Sequence, residues 1–261
     1  VYNHSGEGGL WRDKLQTDDV DLDPVTSADL ANYEPKEVVG LYSLRGLDNQ
    51  AYYLLSADKQ TYWEVTGVGN QMRANHRPFR KLIVDSLRYW VEEMHVDGFR
   101  FDLAPALGAS DADYTVWAPV AETVLQDIAD DPVLLANNVR IIAEPWAAGG
   151  NYAYQIGKFP AATSATGPDG EKRGWGEWNG RFRDWWRAFM NHDDWRLNSQ
   201  EGDADGGFLL TACDRYYGAN GRGPYASVNF LAVHDGMTMY DVFTYPQKKN
   251  GCGPLNPVCC E

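Results

Sequence analysis

The order of apolar and polar residues along the chain predicts helices that alternate with short buried strands. Residues 77–95 show the clearest helical pattern, because apolar side chains recur there at intervals of three, four, seven and eight positions and form one stripe. This stripe consists of Phe79, Leu82, Ile83, Leu87, Trp90, Val91 and Met94.

The segment FRFDLA, which follows this helix after a VDG turn, shows the alternation of a β-strand. Side chains two positions apart share one face of a strand. Phe99, Phe101 and Leu103 are therefore expected to pack under the flanking helices, while Arg100 and Asp102 point to the opposite face. The strand would thus bring a cation and a carboxylate together.

The alternation of helices and strands continues to the end of the chain. We predict a helix over 118–130, a strand over 139–143 that ends at Glu144, a short strand over 175–179 with a helix through RFRDWWRAFM, and a strand over 227–233. Residues 1–9 are expected to form a strand end and a loop, and 10–75 a long irregular loop. Strands that alternate with helices indicate βα units, a parallel sheet and the α/β class.

The charge of the chain restricts its partners. Its 37 acidic and 23 basic residues give a net charge of −14. This charge argues against nucleic acid and anionic membranes, because both attract basic surfaces. No run of about 18 apolar residues indicates a membrane span. A neutral polysaccharide is compatible with the charge, and 10 Trp and 15 Tyr residues supply aromatic faces on which sugar rings can stack.

Four cysteines bear on the compartment. Cys213 is followed by Cys252, Cys259 and Cys260, which lie in a final segment with Pro and Gly. This clustering favours a loop closed by a disulfide in a secreted or periplasmic protein, and free thiols are the alternative. A zinc site fits less well, because neither Cys-x-x-Cys spacing nor a nearby His completes it.

Three predicted strands carry a carboxylate at or just after their ends, namely Asp102, Glu144 and Asp235. A (β/α) barrel builds its active site from such positions, and paired carboxylates catalyse glycoside hydrolysis. Arg100 is expected to lower the pKa of Asp102 and keep it ionised as a nucleophile, or else the two residues form a structural ion pair. Like charge and burial are expected to raise the pKa of Glu144, as a general acid requires.

Two histidines extend this set of candidates. His234 precedes Asp235 and can donate hydrogen bonds to sugar hydroxyls, and His4 in VYNH is a further candidate. A metal-assisted lyase or isomerase would also use strand-end acids, but Arg100 and His234 would repel its divalent cation. A sugar-binding protein without catalysis is the other alternative, and it would not need all three acids.

Four ordered motifs resemble those of the α-amylase superfamily of glycoside hydrolases: VYNH, GFRFDLA, IIAEPW and FLAVHDGMT. The segments RGLDNQAYY, GWGEWNGRFRD and VNFLAVHDGMT are similar to isoamylases and glycogen-debranching enzymes within it. The resemblance implies that Asp102 is the nucleophile, Glu144 the acid/base and Asp235 the stabiliser of the transition state. By the same resemblance the pocket for the cleaved sugar is lined by His4, Arg100 and His234.

The resemblance also predicts a partial (β/α)8 TIM barrel, from about the end of strand 3 through strand 7. Residues 1–261 would form the central part of the catalytic domain, with a loop insertion at about 10–75. The family's Asp ahead of the first motif, its early strands, its N-terminal β-sandwich, its last barrel strand and its C-terminal β domain would lie outside the chain. We therefore expect the isolated chain to be inactive and poorly folded.

The implied reaction is the hydrolysis of α-1,6 branch linkages in glycogen, amylopectin or similar α-glucans with retention of configuration. The preference for the 1,6 linkage rests on the resemblance alone, and an α-1,4-glucan hydrolase or a branching transferase of the same superfamily is the alternative. No cofactor is required for this chemistry, and calcium would enter only as a structural ion of the full-length protein. The expected partner is a branched α-glucan, not nucleic acid or a membrane.

Overall fold

The computed structural model describes residues 44–57, 59, 62, 63, 65–67, 71–167, 170, 172–191, 214–234, 236 and 238–244. Two candidate site residues, His4 and Asp235, lie outside these ranges, as do all four cysteines. The chain divides into two compact units, Val1–Trp175 and Gly176–Glu261. Within the described ranges, no helix has both the length and the apolar composition needed to cross a membrane.

The described part of the first unit contains four helices and four strands. The helices are α1 (Arg45–Tyr52), α2 (Arg77–Glu92), α3 (Val124–Ala129) and α4 (Pro132–Ala136), and 3₁₀ turns occupy Ala104–Gly108 and Val120–Glu122. The strands are β1 (Gly98–Phe101), β2 (Arg140–Ala143), β3 (Ala161–Thr166) and β4 (Lys172–Gly174). The pair β1–β2 is parallel and the pair β3–β4 is antiparallel.

Helix α2 begins where the pattern predicted it but ends at Glu92, before the predicted end at 95, and its buried stripe is narrower than expected. The buried side chains recur at every fourth position and are Phe79, Ile83, Leu87 and Val91. The other members of the predicted stripe are about half exposed, with 44% for Leu82, 48% for Trp90 and 50% for Met94. Since each residue of an α-helix is rotated by about 100° from the last, Leu82 and Trp90 lie beside the buried row rather than on it. Met94 lies beyond the end of the helix at Glu92.

Strands β1 and β2 run in register and end at the same level. Phe101 pairs with Ala143, so that the next residues, Asp102 and Glu144, leave the two strands side by side. Phe101 is fully buried, and its ring centroid lies 4.7 Å from that of Trp175. This packing against the core fixes the strand end from which Asp102 projects.

Three elements of the first unit differ from the prediction. The irregular loop predicted over 10–75 contains helix α1 in its described part. The helix predicted over 118–130 is interrupted at Thr123, whose extended backbone (φ −105°, ψ 163°) separates the 3₁₀ turn from α3. The antiparallel pair β3–β4 had no counterpart in the prediction, because neither β3 (Ala, Thr and Ser) nor β4 (Lys, Arg and Gly) shows an apolar alternation.

A close contact between Gly108 and Trp117 holds the turn that follows β1. A Cβ at position 108 would lie 1.4 Å from Nε1 of Trp117, which donates a hydrogen bond to the carbonyl of Pro105 at 3.0 Å. We expect Gly108→Ala to lower the free energy of unfolding by about 1–3 kcal/mol or more, because the indole must move. Urea denaturation of the whole protein measures the change.

Gly149→Ala is the matched control for this substitution, since a Cβ at position 149 meets nothing within 4 Å. Its effect is expected to stay within about 0.5 kcal/mol. Equal effects of the two substitutions would show that Trp117 does not constrain Gly108.

The described part of the second unit contains two parallel strands and three helices. These are β5 (Gly176–Trp178), α5 (Gly180–Met190), α6 (Asp214–Tyr217), β6 (Ser227–Val228) and α7 (Met239–Thr244), with 3₁₀ turns at Gly218–Asn220 and Pro224–Ala226. Strand β5 and helix α5 were predicted, but the strand expected over 227–233 has only two residues. Buried Asn179 joins β5 to α5, because its Oδ1 accepts the N–H of Phe182 at 2.9 Å and so caps the helix.

Candidate active site

Asp102 and Arg100 form the ion pair that the strand alternation predicted. Arg100 Nη1 donates a hydrogen bond to Asp102 Oδ1 at 2.5 Å. Arg100 is the third residue of β1 and Asp102 follows the strand directly, so both side chains project from the same face. Their side chains are mostly buried, with exposed fractions of 24% and 18%.

Glu144 belongs to the same cluster, because Arg100 contacts it as well. Arg100 Nη2 lies 2.9 Å from Glu144 Oε2, and the Glu144 side chain is 5% exposed. One guanidinium thus contacts carboxylates at the ends of two neighbouring strands. The sequence placed Arg100 beside Asp102 alone, since the contact with Glu144 depends on the pairing of β1 with β2.

Leu103 contacts the carboxylate cluster, although the sequence pattern assigned it to the buried face of the strand. It was expected to continue the buried face of Phe99 and Phe101, but its backbone is left-handed, with φ 41° and ψ 47°. Its N–H donates a hydrogen bond to Glu144 Oε2 at 2.7 Å. The left-handed conformation costs a residue with a side chain about 1–2 kcal/mol. A leucine gives no local signal for this conformation, so the sequence could not reveal it.

His234 is the candidate residue of the second unit that the structure describes, and it follows strand β6 along the chain. The centroid of the His234 ring lies 6.0 Å from the centroid of the Trp178 ring. The Phe230 ring contacts the same tryptophan, with a centroid distance of 5.3 Å. Arg187 of α5 donates from Nε and Nη2 to the carbonyl of Leu231, at 2.8 and 2.5 Å. These two hydrogen bonds anchor the segment that leads to His234.

The charge state of Arg187 suits this anchoring role. Burial, and after it the positive charge of Arg183, lower the pKa of Arg187 from its ordinary value. An arginine keeps its charge at neutral pH even so, because its ordinary pKa lies above about 12. The two hydrogen bonds to Leu231 are thus charge-assisted.

The fold of the chain matches that of a solved glycoside hydrolase. The crystal structure of pullulanase complexed with maltotetraose from Anoxybacillus sp. LM18-11 superposes with a TM-score of 0.52 over 73% of this chain and 25% of that chain, at 21% sequence identity. The shared architecture is an α/β fold with parallel strands.

Curated relatives then give the particular proteins that the chain resembles. An isoamylase from Flavobacterium sp. is 38% identical over 259 residues, which are 96% of this chain and 28% of the relative. A glycogen operon protein GlgX homolog from Mycobacterium tuberculosis is 42% identical over 209 residues, 80% of this chain and 26% of the relative. The resemblance to isoamylases and glycogen-debranching proteins is confirmed. The chain spans about a quarter of the length of the curated relatives it matches, and no protein-family model matches it.

Proposed function

We propose that the whole protein that carries this chain is a glycoside hydrolase that cleaves α-1,6 branch linkages in α-glucans with retention of configuration. The observation that carries this proposal is the contact of one guanidinium, that of Arg100, with both Asp102 and Glu144. The names of the relatives, isoamylase and glycogen operon protein, support the linkage and the glucan. The same proposal includes a partial (β/α)8 barrel, from the end of strand 3 through strand 7.

In the first proposed step the glycosidic bond is exchanged for an ester. Glu144 gives its proton to the glycosidic oxygen, a carboxylate oxygen of Asp102 attacks the anomeric carbon, and the bond from that carbon to the leaving chain breaks. Because Glu144 Oε2 accepts the N–H of Leu103 and lies against Arg100, the proton is assigned to Oε1. The leaving chain departs with a free hydroxyl.

In the second step water displaces the Asp102 carboxylate from the anomeric carbon. Glu144, now ionised, takes a proton from water, whose oxygen attacks the anomeric carbon and releases Asp102 as a carboxylate. Two displacements restore the original configuration. The proposal assigns stabilisation of the oxocarbenium-like transition state to Asp235 and contacts with the sugar to His4, Arg100 and His234.

This mechanism requires no cofactor, because two carboxylates supply the nucleophile and the proton. It requires a separation of about 5–5.5 Å between the two carboxyl groups, as expected for retention. Among the described residues, no group of three or more His, Cys, Asp or Glu is arranged to hold a metal ion. No step is assigned to calcium.

The proposal is tested by the products that the whole protein forms from amylopectin. Proton NMR should show loss of the α-1,6 anomeric signal, with linear chains released first as α-anomers. Release of β-anomers would contradict the retaining mechanism. Loss of α-1,4 signals instead would identify an α-1,4 hydrolase, and new α-1,6 signals from linear amylose would identify a branching transferase.

Arg100→Lys tests the role of the shared guanidinium. A lysine presents one compact ammonium and cannot contact two carboxylates in a fork. We expect kcat/KM for amylopectin to fall by about 10²-fold, because both carboxylates lose their fixed orientation. Arg140→Lys is the control, since Arg140 is exposed at the start of β2. Unchanged kcat/KM in Arg100→Lys would show that the contacts of Arg100 are only structural.

A further inference from the structure

We propose that Gln71, Asn75 and Trp117 are positioning residues for Glu144. They hold the turn Ala104–Gly108 and the residue after it, so that the N–H of Leu103 stays directed at the Glu144 carboxylate. We call these three side chains the turn clamp. The inference rests on the proposed function for its kinetic test and extends it by naming the groups that orient the acid/base.

The turn clamp contacts the turn through its carbonyl groups. Five consecutive carbonyls, those of residues 105–109, accept hydrogen bonds from donors outside the turn. The donors are Trp117 Nε1 to Pro105 (3.0 Å), Gln71 Nε2 to Ala106 (3.1 Å), Asn75 Nδ2 to Leu107 (2.9 Å) and Ala109 (2.6 Å), and the N–H of Ala118 to Gly108 (2.9 Å). Three of these four donor groups belong to the turn clamp, so its side chains determine the path of the turn.

The two amide side chains of the turn clamp are themselves fixed at both ends. Gln71 is fully buried, and its Oε1 accepts the N–H of Val65 at 3.0 Å. Asn75 Oδ1 accepts the N–H of Val124, the first residue of α3, at 2.8 Å. An amide that both donates and accepts in this way is held in one orientation. The two amide groups therefore cannot shift together with the turn, and they hold its carbonyl groups in place.

The held turn connects directly to Glu144. The N–H of Ala106 donates to the carbonyl of Leu103 at 3.0 Å, and the N–H of Ala104 donates to the carbonyl of Glu144 at 3.0 Å. Leu103 lies between these contacts in its left-handed conformation, and its own N–H reaches Glu144 Oε2 at 2.7 Å. A strained backbone of this kind persists only where its surroundings over-determine it. The turn clamp supplies that constraint.

Asn75→Ala tests the inference by separating proton donation from the rest of catalysis. It removes two of the carbonyl contacts and is expected to lower kcat/KM for amylopectin by about 10²-fold, through misplacement of Glu144. The kcat/KM for an α-maltooligosyl fluoride is expected to fall by less than about fivefold, because fluoride departs without general-acid protonation. Equal losses on the two substrates would overturn the inference.

Asn137→Ala is the matched control for Asn75→Ala. Asn137 is exposed after α4, and its Nδ2 likewise donates to a backbone carbonyl, that of Val133 at 2.9 Å. Both substrates should be cleaved by this variant at the wild-type rate. A selective loss on amylopectin in Asn137→Ala would contradict the assignment of the effect to the turn.

Rescue by glycine gives a readout that a merely structural role would not produce. Glycine adopts the left-handed conformation without a side-chain penalty. Leu103→Gly added to Asn75→Ala should therefore recover about tenfold of the lost kcat/KM for amylopectin. A double variant no more active than Asn75→Ala would overturn the link between the turn clamp and Leu103.

A crystal structure of Asn75→Ala in the whole protein tests the geometry independently of activity. The separation of Leu103 N from Glu144 Oε2 should exceed a hydrogen-bonding distance. An unchanged hydrogen bond and a left-handed Leu103 would overturn the inference. If the wild-type protein cleaved neither substrate, the proposed function would fail, while this measurement would still decide what holds Glu144.

Discussion

Asp102→Asn is expected to lower kcat/KM for the release of linear chains from amylopectin by at least about 10⁴-fold in the whole protein. The amide has almost the size of the carboxylate but is not nucleophilic, so the ester intermediate cannot form. It also replaces the charge that faces Arg100 Nη1 at 2.5 Å. The measurement is the initial rate of reducing-end formation at several concentrations of amylopectin.

Asp85→Asn is the control for this loss. Asp85 is exposed on α2 and forms a surface ion pair with Lys81, so its neutralisation should leave the rate unchanged. Azide tests the assigned role further, because it can attack the anomeric carbon in place of the missing nucleophile. We expect Asp102→Asn with azide to form a β-glycosyl azide. Substantial activity of Asp102→Asn without azide would contradict the assignment.

Arg222→Met is expected to lower the free energy of unfolding by about 3–5 kcal/mol, the largest effect on stability that we predict. Arg222 Nη2 lies 2.6 Å from Glu177 Oε1, and the side chains are 1% and 0% exposed. Arg222 Nε also donates to Asn220 Oδ1 at 3.0 Å, and its guanidinium lies over the Tyr217 ring. Removal of the cation leaves the charge of Glu177 buried without the guanidinium that contacts it. Urea denaturation followed by tryptophan fluorescence measures the loss.

A double variant separates the buried charge from the lost packing. Glu177→Leu combined with Arg222→Met removes both charges of the buried pair and should recover most of the stability. The control is Lys81→Met, which breaks an exposed ion pair on α2 and should change the free energy of unfolding by less than about 0.5 kcal/mol. A similar small effect for Arg222→Met would show that the buried pair does not stabilise the unit.

Local sequence patterns predicted the elements correctly where hydrophobic periodicity within one segment decides the conformation. Helix α2 begins at Arg77 as predicted, since fourth-neighbour apolar residues define a face in any helix. Strand β2 ends at Ala143, before Glu144 and Pro145, as the apolar run and the proline indicated. The pairing of Arg100 with Asp102 follows from the two-residue period of β1 alone.

Predictions failed where neighbouring segments decide the conformation. The segment 118–130 has the composition of a helix, but the backbone of Thr123 is extended, and α3 begins only at the next residue, Val124. The strand expected over 227–233 ends after Val228, although the apolar run continues. Composition alone did not distinguish a residue that continues an element from one that leaves it, because both are apolar or β-branched.

By itself, the sequence determined the candidate acids, their order along the chain and the position of Asp102 and Glu144 at strand ends, because periodicity and strand-breaking residues act within a few positions. Only the tertiary structure decided that Arg100 also contacts Glu144, because that contact needs β1 and β2 to pair in one register. It also decided that Leu103 turns left-handed and donates to Glu144. Hydrogen bonds from distant segments can stabilise a backbone that a leucine would not adopt alone.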